Sequence, residues 1–144
     1  MSELSKKLER IRRIHTLETS QMNVLIGDLA RIDAELASHF KRLNELQLIK
    51  HQGLVSTQLG SIELLTQNGI WIDSINRSIM LAHDIISKCQ SERRDAQSRV
   101  MEQRTRVRGL EILVDQLRLE FDADAMTQQM LMADENALKN FARN

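Results

Sequence analysis

Apolar residues recur in alternating steps of four and three along the second half of the chain. Twelve of the fourteen positions reached by these steps are apolar, and the two polar ones are Arg93 and Gln103. The positions are Ile75, Ile79, Ala82, Ile86, Cys89, Arg93, Ala96, Val100, Gln103, Val107, Leu110, Val114, Leu117 and Phe121. A repeat sustained over this length is typical of a coiled-coil seam, along which one helix packs against another.

A similar pattern runs through the first third of the chain and predicts another long helix. Its opening turns carry Leu4, Leu8 and Ile11, after which the apolar stripe drifts through Ile14 and Leu17. From Met22 the repeat becomes regular, with seven apolar residues in eight positions. The regular positions are Met22, Leu25, Leu29, Ile32, Leu36, His39, Leu43 and Leu46.

The periodic pattern breaks over residues 53–69, where glycines and polar residues cluster and Asn68-Gly69 is a strong turn signal. Because neither long helix can bury its own stripe, we expect the second to pack on the first, folded back antiparallel through this turn. The expected fold is all-α, a single coiled-coil domain over residues 1–144. It is a long antiparallel two-helix hairpin with an overhanging C-terminal helix, formed by helix one (about 2–52), the turn region (53–69) and helix two (about 70–141).

In this hairpin Leu36 lies opposite Ile86. The N-terminal end of helix one, near Met1, lies opposite Phe121, and helix two continues beyond that point. The overhanging part still carries large apolar residues, namely Met126, Met130, Leu131, Met132, Leu138 and Phe141. Exposed apolar side chains on an isolated helix suggest a docking surface. A frayed tail that packs back on the hairpin is the alternative, and a parallel dimer of two copies is the alternative to the hairpin itself.

Composition agrees with a helical seam and disagrees with an ordinary globular core, since the chain has no Pro, no Tyr and 3% aromatic residues against 28% charged ones. The formal net charge of zero gives no general attraction to nucleic acid or anionic lipid. The single cysteine, Cys89, lies on the seam, where we expect a small buried side chain. We find neither a secretory leader nor a membrane span, and therefore expect a soluble cytoplasmic protein without membrane insertion.

Charge is nevertheless distributed in blocks. Six arginines lie within sixteen residues of the second helix, and three more on the first helix fall opposite its later turns. They are Arg93, Arg94, Arg99, Arg104, Arg106 and Arg108, with Arg10, Arg12 and Arg13. One interpretation is a solvated coiled-coil surface with weak local ion pairs. The other is a basic collar that docks on an acidic protein partner. Nucleic acid is disfavoured because no aromatic residues for base stacking accompany the arginines.

No group of residues in the sequence predicts catalysis. The histidines lack the spacing of a helical zinc site, and no glycine-rich phosphate loop, cysteine pair or nucleophile motif occurs. A two-helix hairpin also offers no concave, water-excluding pocket. We therefore expect a protein that is not an enzyme and that uses no metal and no cofactor.

Three short motifs carry a resemblance to a known family. Asn68-Gly69-Ile70 followed by Trp71-Ile72 is similar to that family's turn and second-helix start, which Ile75, Ile79 and Ile86 continue. Near the C-terminus, Asp134-Glu135-Asn136-Ala137 with Phe141-Ala142-Arg143 is similar to its acidic-then-alanine ending. With its length and hairpin plan, the chain resembles the FliJ/YscO family, the small central-stalk proteins of the flagellar and type III secretion export apparatus.

The resemblance implies a monomeric, non-enzymatic stalk at the inner face of the bacterial membrane, like the rotor stalk of rotary ATPases. The end that bears both termini would enter and promote a hexameric export ATPase. The implied ring contacts are Leu4, Leu8, Arg10, Arg12, Arg13, Arg106, Arg108, Met126, Met130, Leu131 and Leu138. The other end would contact the cytoplasmic domain of the membrane export gate, and export chaperones are further implied partners. The implied gate contacts are Trp71, Ile72, Ile75 and Ile79.

Other interpretations stay open beside the stalk. An export chaperone is also commonly a small helical hairpin, although here the seam is used for self-pairing. A generic coiled-coil tether or dimer is the third possibility. For Trp71 the alternative to a gate contact is a side chain that packs the turn.

Overall fold

The protein consists of two long helices, as seen in a computed structural model that describes residues 2–57 and 62–143. Helix α1 spans Glu3–Thr57 and helix α2 spans Ile62–Arg143, and the described residues contain no strand. The two helices pack against each other in antiparallel orientation. The predicted all-α fold, a long two-helix hairpin, is thus confirmed.

Both helices extend into the predicted turn region, so the predicted helix ends on either side of the turn, at about 52 and about 70, are wrong. Helix α1 continues through Gly53 to Thr57, and α2 begins at Ile62, well before Asn68-Gly69. Glycine inside a helix costs only about 1 kcal/mol relative to alanine, and the chain has no proline that would stop either helix. Of the predicted turn region, residues 58–61 lie outside the described part of the chain.

Helix α1 begins where a serine can cap it. Ser2 Oγ accepts a hydrogen bond from the backbone N–H of Ser5 at 3.1 Å, and the Ser2 carbonyl accepts one from Lys6 at 3.1 Å. The side-chain bond satisfies one of the backbone donors that the first helical turn leaves without a partner. Glu3 in that turn places a negative charge near the positive end of the helix dipole.

The chain divides into two compact units, each containing a stretch of both helices. One, which we call the middle unit, is Val24–Val100. The other, which we call the terminal unit, comprises Met1–Asn23 and Met101–Asn144.

The core of the middle unit is a narrow line of side chains along the predicted seam. One cluster joins Leu43 and Leu46 of α1 to Ala82 and Ile86 of α2, with Leu36 packed against it as the predicted pairing requires. Ile75 and Ile79 complete this cluster. A second cluster contains Ile32, Cys89 and Ala96, flanked by Leu29 and Leu36.

A polar position of the seam is also accommodated in the middle unit. Arg93, one of the two polar residues in the long repeat, donates through Nε to the carboxylate of Asp33 on α1. The arginine therefore reaches from a half-buried seam position to a charged partner at the edge of the seam. An ion pair with both side chains this exposed contributes little to stability, but it favours the register in which the two residues meet.

The seam continues through the terminal unit. Leu8 of α1 and Val107 and Leu117 of α2 are buried there, whereas Phe121, at 37%, is exposed. The predicted drift through Ile14 and Leu17 is wrong, because both side chains are exposed, Leu17 by 71%. The positions that face α2 are held by half-buried polar residues instead, as described below.

Among the described residues, neither helix contains an apolar stretch long enough to cross a bilayer.

Candidate partner-binding surfaces

Two polar residues of α1 occupy the seam where the sequence pattern suggested drift. Stepping back from Met22 by four and then three residues reaches Glu18 and His15, and both side chains are half-buried. Because both residues are polar, the pattern of apolar residues does not identify them as seam positions. The unbroken four-and-three spacing that continues to Ile11, Leu8 and Leu4 is the signal that identifies them.

Glu18 is paired with the second polar residue of the long repeat, Gln103. The Gln103 side chain is only 5% exposed, and its Nε2 donates to the backbone carbonyl of Glu18 at 2.9 Å. The same amide nitrogen also donates to the Glu18 carboxylate. The buried amide is therefore satisfied across the two helices, and only this register lets it reach both acceptors.

His15 faces Glu111 of α2, with Nε2 of the imidazole 3.5 Å from one carboxylate oxygen. The other carboxylate oxygen accepts a hydrogen bond from Arg108 Nη1 at 3.2 Å. The bond from Arg108, with the neighbouring His15, holds the pKa of the Glu111 carboxyl below its ordinary value. His15 Nε2 is itself shielded from solvent and lacks a well-formed hydrogen bond.

These residues line a surface groove of about 480 Å³ in the terminal unit. Its lining contains both arginines and carboxylates. The lining residues are Arg12, His15, Arg108, Glu111, Val114, Asp115 and Arg118. The groove is open and mixed in charge, which suits contact with polar side chains of another protein better than the enclosure of a small molecule.

The implied ring-contact arginines are all exposed and all belong to the terminal unit. Arg13 forms an ion pair with Glu9 at 3.7 Å, and Arg108 is bonded to Glu111. Within the described part of the chain, Arg10, Arg12 and Arg106 form no ion pair. Their guanidinium groups are thus available to an external partner.

The implied apolar ring contacts are not equally accessible. Leu8 is 7% exposed and packs in the seam, so it cannot serve as a contact surface in this fold. Leu4 is half-buried. By contrast, every residue from 126 to 143 of α2 is exposed, and we call this segment the overhang. It includes Met126, Met130, Leu131 and Leu138, and the frayed tail packed back on the hairpin is not observed.

The implied gate contacts lie in the middle unit and are all half-buried. Ile75 and Ile79 pack on the core cluster described above. The indole ring of Trp71 lies so close to Gly53 of α1 that a Cβ built on the glycine would overlap it. Gly53 therefore leaves room for the indole ring, and the Trp71 side chain packs against α1.

Two further features concern reactivity and metals. Cys89 is buried, its thiol is within 3.9 Å of the Ile32 carbonyl oxygen, and burial raises its pKa, with Glu92, Glu35 and Asp33 acting in the same direction. A thiol in that environment is a poor nucleophile. The described residues contain no group of three or more side chains suited to hold a metal ion.

No protein-family model, curated protein or solved structure matches this chain.

Proposed function

We propose that the protein is a non-enzymatic stalk of a type III protein export apparatus, flagellar or virulence-associated. On this proposal it acts in the cytoplasm at the inner face of the membrane. The terminal unit inserts into a hexameric export ATPase and promotes its activity, and the middle unit links the ATPase to the cytoplasmic domain of the export gate. The resemblance to the FliJ/YscO family suggests this role, and the accessibility of the surfaces described above is compatible with it.

The observation that carries the proposal is the overhang. Eighteen consecutive helical residues leave every side chain exposed, among them six large apolar ones. Phe141 is 83% exposed. A single helix of this length is marginal in water unless something packs on it, so an apolar surface of this size favours insertion between other subunits. Methionines suit such a contact, because their flexible side chains adapt to more than one neighbour.

The unpaired arginines support the same end of the molecule as the ring contact. Arg10, Arg12 and Arg106 are exposed without ion-pair partners among the described residues. A guanidinium binds carboxylates through two parallel hydrogen bonds, so an acidic rim of the ring is the partner that fits. The proposed contact set therefore comprises the five arginines, the exposed apolar residues of the overhang and the half-buried Leu4, and it omits Leu8.

The proposed gate contact needs a narrower definition. Because Ile75, Ile79 and Trp71 already pack inside the hairpin, only their outer edges and that of Ile72 are free for a partner. A Trp71→Ala protein should lose both thermal stability and gate binding on this proposal. Retained gate binding together with lower stability would remove Trp71 from the contact.

The test is ATP hydrolysis by the export ATPase of the same organism, titrated with the full chain. We expect stimulation that falls strongly in a Leu131→Ser/Leu138→Ser protein, whose two leucines are 59% and 70% exposed in the overhang. The matched control is Leu119→Ser, which removes an equally exposed leucine that is not a proposed ring contact. If the full chain neither stimulates ATP hydrolysis nor co-migrates with the ATPase ring, the stalk proposal is refuted.

Sedimentation velocity separates the proposal from the tether and the dimer. The stalk requires a monomer of 16.6 kDa that sediments slowly for its mass because its second helix is long. A stable dimer at micromolar concentration would favour the tether or the chaperone.

A further inference from the structure

Helix α2 carries a second apolar stripe on the face opposite the seam. Every seventh residue from Ile112 to Ala133 is apolar, and the parallel row four residues further on is apolar from Ala123 onward, after the polar Gln116. The members of this outer stripe are Ile112, Leu119, Ala123, Met126, Met130, Ala133, Ala137 and, at its edge, Phe141. All of them belong to the terminal unit and all are exposed.

Ile112, which starts the outer stripe, occupies the heptad position that points directly away from the partner helix. In a two-helix coiled coil this position faces water and is ordinarily polar. The three preceding heptads of α2 follow that rule with Ser91, Ser98 and Thr105. The change to Ile112 and Leu119, 45% and 70% exposed, therefore marks a local surface rather than a general property of the helix.

From Asp115 to Asp134 the charged residues beside the outer stripe are all acidic, and Arg108, which precedes them beside Ile112, is already paired with Glu111. Asp115 and Asp122 follow one edge, and Glu120 and Asp134 follow the other. All four are exposed, and none forms an ion pair with another described residue. An occupant of the stripe would therefore bring its own edges against four free carboxylates.

We propose that the outer stripe is a docking site for an amphipathic helix of another protein whose apolar stripe is flanked by lysine or arginine. Apolar anchors would pack along Ile112, Leu119 and Met126, and the basic edges would pair with the carboxylates. A second copy of this chain is a poor occupant, because self-pairing would oppose carboxylates to carboxylates. An anionic membrane surface is disfavoured for the same reason.

This inference goes beyond the stalk proposal and does not depend on it. The proposed ring contacts Leu131 and Leu138 lie on the seam side of α2, whereas Ile112 and Leu119 lie on the outer face and are not ring contacts. Met126 and Met130 belong to both sets and are left unchanged in the experiment. A failure of ATPase stimulation and a failure of helix docking can therefore be told apart.

The test uses the full-length protein and synthetic four-heptad peptides followed by fluorescence anisotropy. The probe has leucines along one helical face and lysines along both edges of that face. One control peptide has glutamates at the lysine positions, and a second keeps the lysines but has serines in place of the leucines. We expect only the first to bind well, with both controls at least about tenfold weaker, since each lacks one half of the complementarity.

Variants then locate the contact. Leu119→Ser and Ile112→Ser should each weaken binding of the basic peptide by about tenfold, the usual effect of losing one buried aliphatic anchor. Leu131→Ser and Leu138→Ser should leave the affinity within about twofold, as controls for the loss of any exposed leucine. Circular dichroism checks that each variant remains helical.

A charge reversal completes the experiment. Asp115→Lys/Asp122→Lys should weaken the basic peptide and strengthen the glutamate peptide. Equal binding of both leucine-bearing peptides, equal effects of Leu119→Ser and Leu131→Ser, or dimerisation of the protein through Leu119 would each overturn the proposal. Binding to anionic vesicles that Leu119→Ser abolishes would overturn it in favour of a lipid surface.

Discussion

Gln103 is the residue whose replacement tests the packing of the two helices most directly. It is the buried polar residue of the seam, and its amide donates both to the backbone carbonyl and to the carboxylate of Glu18. We expect Gln103→Ala to destabilise the protein more than any substitution of an exposed polar residue, because it removes both bonds and part of the packing.

The magnitude follows from the contacts. A neutral hydrogen bond contributes about 1 kcal/mol net. A hydrogen bond to a charged group contributes more, and we take about 1.5 kcal/mol, the lower end of its usual range, because the Glu18 side chain is half-exposed. The buried methylene that alanine lacks adds about 0.8 kcal/mol. The expected loss is thus about 3 kcal/mol in the free energy of unfolding. For a chain of this size it lowers the Tm by about 6–12 °C.

Thermal and urea unfolding followed by circular dichroism at the helical band measures this change. The matched control is Gln116→Ala, which replaces an exposed glutamine of the same helix that has no hydrogen bond to α1 among the described contacts. That substitution should change stability by about 0.5 kcal/mol or less, since exposed surface positions rarely contribute more.

A double-mutant cycle with Glu18→Ala then isolates the pair. The coupling between Gln103 and the Glu18 side chain should be about 0.5–1.5 kcal/mol, and the bond to the backbone carbonyl should persist in the single Glu18 variant. If Gln103→Ala costs no more than Gln116→Ala, the amide is not buried against Glu18 and the register described here is refuted.

Three further predictions concern other sites. The Cys89 thiol, buried and with a raised pKa, should react with a disulfide reagent at mildly alkaline pH far more slowly in the folded protein than in urea, and equal rates would contradict its burial. Because the pKa of Glu111 is lowered on folding, its contribution to stability is present above its ordinary pKa of 4.5 and is lost as the pH falls through the lowered value. Glu111→Gln should therefore flatten the fall of Tm on acidification, and an unchanged Tm profile would contradict this assignment. Gly53→Ala should destabilise the protein and shift the Trp71 emission, whereas in a Trp71→Ala background the same change should stabilise it by about 1 kcal/mol through helix propensity. The same sign in both backgrounds would show that the indole does not rest on Gly53.

The seam was predictable because one interaction dominates it. Wherever an apolar residue recurs at the spacing of a coiled coil, burial against the partner helix outweighs local preferences, so Ile32, Ile86 and Leu117 lie where the pattern places them. The pattern failed at Ile14 and Leu17 because it weighs apolarity above spacing. The helix keeps its geometry there, and the spacing puts Glu18 and His15 toward α2 although both are polar.

The helix ends could not be read from the sequence for a different reason. Gly53 and Gly69 predict helix breaks, but a glycine interrupts a helix only when another conformation is more favourable. None of the described glycines has a positive φ, and at Gly53 the missing side chain makes room for Trp71. A glycine required for close packing and a glycine required for a turn look the same in a sequence.

The candidate surfaces were predictable in part. The overhang follows from counting residues on either side of a turn, and it survives an error in the helix ends because the seam, rather than the turn, sets which residues pair. The resemblance implies Leu8 as a ring contact, whereas its place in the heptad repeat predicts the seam position in which it is buried. The outer stripe requires asking which face of a helix should be polar and is not.

The polar residues of the terminal unit also connect its packing to its surfaces. In a seam made only of aliphatic residues, sliding one helix by a heptad would keep apolar residues opposite one another at little cost. Gln103 prevents this slide, because no other register offers its buried amide both acceptors of Glu18. The register in turn decides where α1 begins beside α2 and how much of α2 remains uncovered. The length of the exposed overhang, and with it the surface available to a partner, therefore depends in part on a hydrogen-bonded pair that contributes nothing to that surface itself.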